Sequence, residues 1–202
     1  MKSVLDYSTY GIALDTTTTP NARARLNTGF LCNYNCEFCY YKDRLDQRDS
    51  FETIKERIDD IYAYGIREID LSGGESSIEP NWLPILDYCR EKGFEHISCL
   101  SHGGKFCNMD FLKLSYEHGL REVLFSLHGS NAELHDRITD RKKSFERILQ
   151  AIEKVGLTLP IVVRLEGTNA PQGLKILNDS NFNIITESDL TQAAKQVVEM
   201  AK

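Results

Sequence analysis

The sequence predicts an α/β fold built on a parallel sheet, and three observations point there. Strand-like and helix-like patterns alternate from about residue 23 to the C-terminus, giving six βα units. Glycines stand where the helices should stop, at Gly65, Gly93, Gly119 and Gly156. The two clusters richest in chemistry, Cys32 to Cys39 and Ser72-Gly73-Gly74-Glu75, each follow a predicted strand, at the end of a parallel sheet where ligands gather.

Taken in order, residues 1–22 read as an extended polar lead-in ending in Thr16-Thr17-Thr18-Thr19-Pro20, because proline disfavours helix in the residue before it. Arg25 to Leu31 is a first strand running into the cysteines. From Ser50, a helix places Phe51, Ile54, Ile58 and Ile61 on one face. Ile66 to Leu71 is the second strand, Asn81 to Arg90 a short helix, and Phe94 to Leu100 the third strand. Asn108 caps a helix reaching about His118. Arg121 to Leu127 is the fourth strand, and Ser144 caps a helix with Ile148, Leu149, Ile152 and Val155 on one face. Leu159 to Leu165 is β-branched and apolar, as a buried parallel strand should be. Pro171 to Asp179 is helical, Phe182 to Thr186 a short strand, and Thr186-Glu187-Ser188-Asp189 caps a last helix striped by Leu190, Ala193, Ala194, Val197 and Val198.

Composition narrows the function. The 202 residues carry 24 Lys+Arg against 30 Asp+Glu, a net charge of −6, which speaks against a non-specific nucleic-acid binder. No apolar run has the length of a membrane span, and the N-terminus lacks the pattern of a signal peptide, so the expected location is the cytoplasm. In a reducing compartment six cysteines suggest metal or redox chemistry rather than disulfides. A compositional break comes late: of 9 Phe, 9 Tyr and 1 Trp, only Phe182 lies beyond Phe145.

Cys32, Cys36 and Cys39 have the spacing C-x3-C-x2-C. Thiolates suit zinc and iron–sulfur clusters. Structural zinc wants a second ligand pair, which Cys89, Cys99 and Cys107 do not supply by spacing, and His102 could serve only as a conscripted fourth ligand. A ferredoxin-type cluster normally takes four cysteines. Three ligands suit a cubane with one iron open to a small molecule, while plain packing of the three thiols is the bland alternative. Cys89 and Cys99 read as core residues and Cys107 is open.

With the aromatic Phe38 before the third cysteine, this motif resembles the signature of the radical S-adenosylmethionine (SAM) enzymes. Gly73-Gly74-Glu75 resembles that family's second element, as do Phe125-Ser126-Leu127-His128-Gly129, His135-Asp136-Arg137 and Ser144-Phe145-Glu146-Arg147. The resemblance covers about residues 23–154. It implies a partial TIM-like (β/α)6 barrel and a [4Fe-4S] cluster held by Cys32, Cys36 and Cys39. The amino and carboxylate groups of SAM would bind the fourth iron. It further implies reductive cleavage of SAM, hydrogen abstraction from an unidentified small-molecule or peptide substrate, and an external electron donor of flavodoxin or ferredoxin type. Phe38, Gly73, Gly74, Glu75, Ser126 and Arg137 are the implied cofactor-binding residues: the glycines for close backbone approach, Glu75 for the ammonium, Arg137 for the carboxylate, with Arg141 competing. His102 and His128 stand at strand ends where they could face substrate; relatives often carry an acidic residue at the position of His128. Tyr34, Tyr40 and Tyr41 are expected to shield the cluster.

The segment 159–202, above all Arg164 to Asn169, resembles instead the C-terminus of the succinyl-CoA ligase β subunit. The ligase's other parts are absent from these residues, so this resemblance assigns origin and not chemistry. The expected organisation is a lead-in over 1–22, a radical SAM core over 23–154 and a foreign β-α-β-α tail over 155–202, joined near 148–160. In this reading the tail supplies the last two βα units of the barrel. A non-catalytic iron–sulfur or zinc protein, or an inactive truncated fusion with vestigial motifs, is the alternative to an enzyme.

Overall fold

The computed structural model describes residues 23–155, 161–164, 170–179 and 184–200. The expected lead-in, the glycine stop at Gly156, Leu159-Pro160, Leu165 to Asn169 and Phe182 lie outside the described residues. The chain divides into two compact units, 1–151 and 152–202.

In the first unit four parallel strands, β1 (Arg23–Asn27), β2 (Glu68–Ser72), β3 (His96–Ser101) and β4 (Glu122–Phe125), pair in sequence order. The crossovers are α1 (Phe51–Ala63), α2 (Trp82–Lys92) and α3 (Met109–Glu117). Ser50 accepts from the Thr53 amide to start α1, and Asn108 accepts from the Asp110 and Phe111 amides to start α3. Gly93 ends α2 in the left-handed region at φ 102, where a side chain would be strained.

The register sorts each strand by alternation. Leu26, Leu71, Cys99 and Val123 form one cross-strand row, and Ala24, Ile69 and Ile97 the row before it. These pack with Ile54, Ile58 and Ile61 of α1 and with Trp82, Ile85, Leu86 and Cys89 of α2 to make the core. Burying each large apolar side chain stabilises the fold by roughly 1.5–3 kcal/mol. The opposite face is polar. Arg25, Asp70 and Ser98 form one row, with Arg25 Nε 2.8 Å from Asp70 and the Ser98 hydroxyl donating to Asp70 at 3.1 Å. Arg23 bridges Glu68 and Glu122 at 3.1 and 2.8 Å.

Three elements differ from the sequence expectation. β1 stops at Asn27 instead of continuing to Leu31, because the Asn27 side chain accepts from the Gly29 amide and turns the chain at a glycine with φ 119. A helix absent from the sequence reading, α4 (Ala132–Ile138), follows β4, capped by Asn131. Helix α5 (Ser144–Val155) is not capped by Ser144. Instead the Asp136 carboxylate, reaching over from α4, accepts from the Phe145 amide at 3.0 Å, the Ser144 hydroxyl at 2.8 Å and the Lys143 amide at 2.5 Å.

In the second unit β5 (Ile161–Arg164) and β6 (Ile184–Glu187) pair in parallel as a two-stranded sheet. The crossover is α6 (Ala170–Asn178), and α7 (Leu190–Met200) packs on both strands. Asp189 caps α7 by accepting from the Gln192 amide at 2.8 Å.

Candidate functional site

The loop from β1 to α1 carries Cys32, Cys36 and Cys39 as free, half-buried thiols. Its neck closes on itself: Phe30 N–H donates to Gln47 O at 3.0 Å and Cys32 N–H to Leu45 O at 2.9 Å. Its middle is fastened to the unforeseen α4, where Asn35 and Glu37 amides donate to Thr139 O and Ile138 O at 3.3 and 2.9 Å. The Asn35 side chain adds a bond to Asp140 at 2.8 Å. Thus α4 orders a loop that lies about 100 residues earlier in sequence.

The Gly73-Gly74-Glu75 turn is built against the same loop. Gly74 N–H donates to Gly29 O at 3.0 Å and Glu75 N–H to Leu31 O at 2.7 Å. A Cβ on Gly74 would lie 2.5 Å from the Phe30 carbonyl carbon and closer still to the Leu31 and Phe30 oxygens. One on Gly73, at φ 126, would lie 2.5 Å from Asn27 Oδ1 and closer to Gly29 O. The two glycines therefore bring the turn onto the cysteine loop's backbone.

Glu75 is 2% exposed and its carboxylate has internal partners. Oε1 accepts from the Ser101 hydroxyl at 2.8 Å and from the Ser77 hydroxyl; Oε2 accepts from the His102 amide at 2.8 Å. The structure thus places Glu75 beneath the turn after β3, bound from within the protein. His102 Nε2 is 3.4 Å from Oε2. Burial pushes the His102 pKa down, with Glu75 pulling the other way.

The aromatic residues divide. Tyr34, 3% exposed, stacks on His102 with centroids 3.6 Å apart and planes 5° apart. Its buried hydroxyl has no hydrogen-bond partner of good geometry among the described residues, with Arg147 the nearby donor. Burial raises its pKa, and the nearby Arg147 opposes the rise. Tyr41 packs on Phe30 at 4.7 Å. Tyr40, expected to shield the cluster, is 83% exposed and meets only the edge of Tyr41 among the described aromatic rings. Phe38 is exposed and meets the His128 ring edge-on at 4.6 Å. His128 in turn lies over His135, a fully buried residue whose Nδ1 accepts from the His128 amide at 3.1 Å and whose Nε2 has no partner among the described residues.

Ser126 sits just past β4, its amide donating to Ser101 O at 3.0 Å. Arg137 is exposed on α4, whereas the Arg141 guanidinium lies 5.9 Å over the Tyr34 ring. Arg147, which sequence reasoning did not single out as a ligand, joins Arg141 beside Tyr34; only its place one turn into α5 hinted at this. Cys89 and Cys99 are buried in the core, where burial pushes the Cys89 thiol up to about 12 and Cys99 well above its usual value. Cys107 donates to Gly104 O at 3.2 Å.

Burial also raises Cys32, to about 11, and Cys36. These are protonated thiols at neutral pH, from which a bound metal displaces the proton. Among the described residues, no three His, Cys, Asp or Glu side chains converge as ligands of a single metal ion. Three cysteines on one pinned loop are soft thiolate donors of the kind an iron–sulfur cluster takes, and one short of the four ligands of a structural zinc site.

Residues 26–163 match the Radical SAM superfamily. The chain belongs to this superfamily. The fold is also seen in solved structures of Streptococcus suis SuiB. One, bound to the precursor peptide SuiA, is 15% identical with a TM-score of 0.55 over 88% of this chain and 45% of that one. Another, bound to S-adenosylmethionine, is 14% identical with a TM-score of 0.56 over 88% and 47%.

Residues 138–198 match a second family, CoA-ligase. The C-terminal segment is 71% identical over 55 residues to the β subunit of ADP-forming succinate–CoA ligase from Ruthia magnifica subsp. Calyptogena magnifica. It is 51% identical over 57 residues to that of Mesorhizobium japonicum. These stretches are 27% and 28% of this chain, and the chain spans 14% of either relative's length. A radical SAM match followed by a ligase-like end supports the fusion expected from the resemblance of residues 159–202. No helix among the described residues is long and apolar enough to cross a membrane.

Proposed function

We propose that this chain is a radical SAM enzyme in which Cys32, Cys36 and Cys39 hold a [4Fe-4S] cluster. SAM would bind between the cysteine loop, the Gly73-Gly74 turn, Ser126 and a guanidinium from Arg137 or Arg141. When bound, these cofactors supply one-electron reductive cleavage of the sulfonium and hydrogen abstraction from a small-molecule or peptide substrate. The residues' part is to hold the loop, exclude water around the thiols and present backbone groups to the amino acid end of SAM. An external one-electron donor of flavodoxin or ferredoxin type is part of this reading, as is a cytoplasmic location.

The observation that carries it is the loop itself: it bears three free thiols after β1, and its Gly29 and Leu31 carbonyls accept from the Gly74 and Glu75 amides of the turn at the carboxyl end of β2. The test is anaerobic reconstitution with iron and sulfide, reduction, and addition of SAM. The expected product is 5′-deoxyadenosine, lost in Cys36→Ala. No product, or equal product from the variant, overturns the enzyme reading.

A second reading, cluster binding without turnover, is favoured by the ligase-like segment at 138–198, where a radical SAM chain would carry its own last elements. Iron uptake without 5′-deoxyadenosine would select it. We place the junction near 148–160, inside the overlap of the two family matches. The tail's two βα units would serve as the fifth and sixth of a (β/α)6 barrel, supported by the parallel pairing of β5 and β6 across a helical crossover. Rapid hydrogen exchange throughout 159–202 would overturn that arrangement.

A further inference from the structure

The turn immediately after Cys32 has few fastenings. Between the Cys32 amide, bound to Leu45 O, and the Asn35 amide, bound to Thr139 O, the chain makes no backbone–backbone hydrogen bond among the described residues. The Tyr34 amide lies 3.5 Å from Cys32 Sγ, a bond internal to the turn. Among the described residues, the side chain that joins both Asn33 and Tyr34 to the end of β3 is His102, while Arg141 and Arg147 approach Tyr34 from outside the sheet.

Its protonation follows from its neighbours. The Gly104 amide donates to His102 Nδ1 at 3.0 Å, so Nδ1 is the acceptor and the proton sits on Nε2. That N–H points to Asn33 Oδ1 at 2.8 Å, with Glu75 Oε2 at 3.4 Å as a second acceptor. The His102 amide binds the same Oε2, and the ring lies flat on buried Tyr34. Gly104 leaves room for this: a Cβ there would lie 2.7 Å from His102 Cε1 and 3.0 Å from the Tyr34 hydroxyl. A residue at 102 must be planar, donate on one side and accept on the other, and neutral imidazole meets all three demands.

We propose that His102 is a positioning residue of the metal site: its ring, anchored on Glu75, holds Asn33 and Tyr34 and so fixes the turn that carries Cys32 against the Gly73–Glu75 turn. This rests on the reading of Cys32 as a cluster ligand. It gives the buried carboxylate of Glu75 a task inside the protein, as the base of a Glu75–His102–Asn33 clamp.

The test has two arms. In the iron-free protein, amide exchange of residues 33–36 is measured for wild type, His102→Ala, His102→Gln and Asn33→Ala. Loss of the clamp should speed exchange there about tenfold, with β2 and β3 unchanged. His102→Gln, which can still donate to Asn33 and accept from Gly104, should recover most of the protection. Asn33 is exposed, so Asn33→Ala carries the test if His102→Ala does not fold. After reconstitution, the electron paramagnetic resonance spectrum of the reduced cluster should shift or broaden in His102→Ala and lie nearer wild type in His102→Gln. Unchanged exchange at 33–36 in both alanine variants, or an unchanged spectrum in a folded His102→Ala, overturns the proposal. If wild type takes up no iron, the cluster reading falls, and the exchange arm still decides the clamp.

Discussion

Replacing Gly74 by alanine tests whether the glycine pair is there for the cysteine loop. The new Cβ would sit 2.5 Å from the Phe30 carbonyl carbon, where ordinary contact begins at 3.4 Å, so the backbones must separate by at least 3.4 − 2.5 = 0.9 Å. Neither neighbour is a flexible side-chain end; both are backbone of the loop that carries Cys32. Such a shift breaks the Gly74–Gly29 and Glu75–Leu31 hydrogen bonds, 3.0 and 2.7 Å long. At about 1 kcal/mol net for each bond, with overpacking strain added, the cost is about 2–4 kcal/mol. For a chain of this size that lowers Tm by roughly 4–16 °C. The site suffers more than the fold, because a misplacement of about 1 Å can cost on the order of 100-fold in turnover. Thermal unfolding of the iron-free variant reads the first effect, and iron content after anaerobic reconstitution the second. An unchanged Tm with full iron uptake would show that the loop and turn are not packed as described.

Three further outcomes are expected. Burial works against ionisation of Asp136, but the Phe145, Ser144 and Lys143 donors outweigh it and hold its carboxyl below the ordinary value. Its contribution is therefore present above the unfolded-state pKa of about 3.9 and lost as pH falls through the lower folded value. Asp136→Ala should flatten that acid limb of urea stability and cost about 1 kcal/mol near neutrality; an unaltered limb refutes the capping role. Trp82 Nε1 donates to the Ser115 hydroxyl at 3.0 Å in the core, so Trp82→Phe should lower the urea midpoint by the equivalent of about 1–3 kcal/mol, and no change would deny that bond. Val163→Asp puts a charge in the centre of the β5–β6 pair and should unfold residues 161–187 by hydrogen exchange while leaving iron uptake intact; loss of iron would show that the site depends on the second unit.

Alternation, caps and glycine stops were legible because each depends on neighbours in sequence. The α1 stripe of Ile54, Ile58 and Ile61 is buried as its spacing says, and Asn108 caps α3. Helix α4 was not legible: at seven residues it is too short to show a helical period, and its function is to hold residues 35 and 37, a contact no local pattern encodes. The polar face of the sheet was not part of the sequence expectation, although Glu68-Ile69-Asp70-Leu71-Ser72 alternates strictly, unlike the continuous apolar run of a buried parallel strand. At the site, the cysteine spacing and the glycine pair announced themselves. The partners of Glu75 did not, since Ser77, Ser101 and His102 reach it from two different segments.

The family motifs thus do two kinds of work. In His135-Asp136-Arg137, the histidine accepts from the His128 amide and shapes the loop after β4, and the aspartate starts α5. In Gly73-Gly74-Glu75, the glycines admit the cysteine loop's backbone and the glutamate anchors the turn after β3. Each of these contacts lies among residues 27–145. A loop held by such contacts would spend little binding energy on ordering itself if Cys32, Cys36 and Cys39 take up a cluster as proposed. On the proposed reading, iron uptake and SAM cleavage are two separate measurements: iron uptake without 5′-deoxyadenosine would mean a cysteine site that assembles without turnover, and the ligase-like end at 138–198 is the segment to examine for the difference.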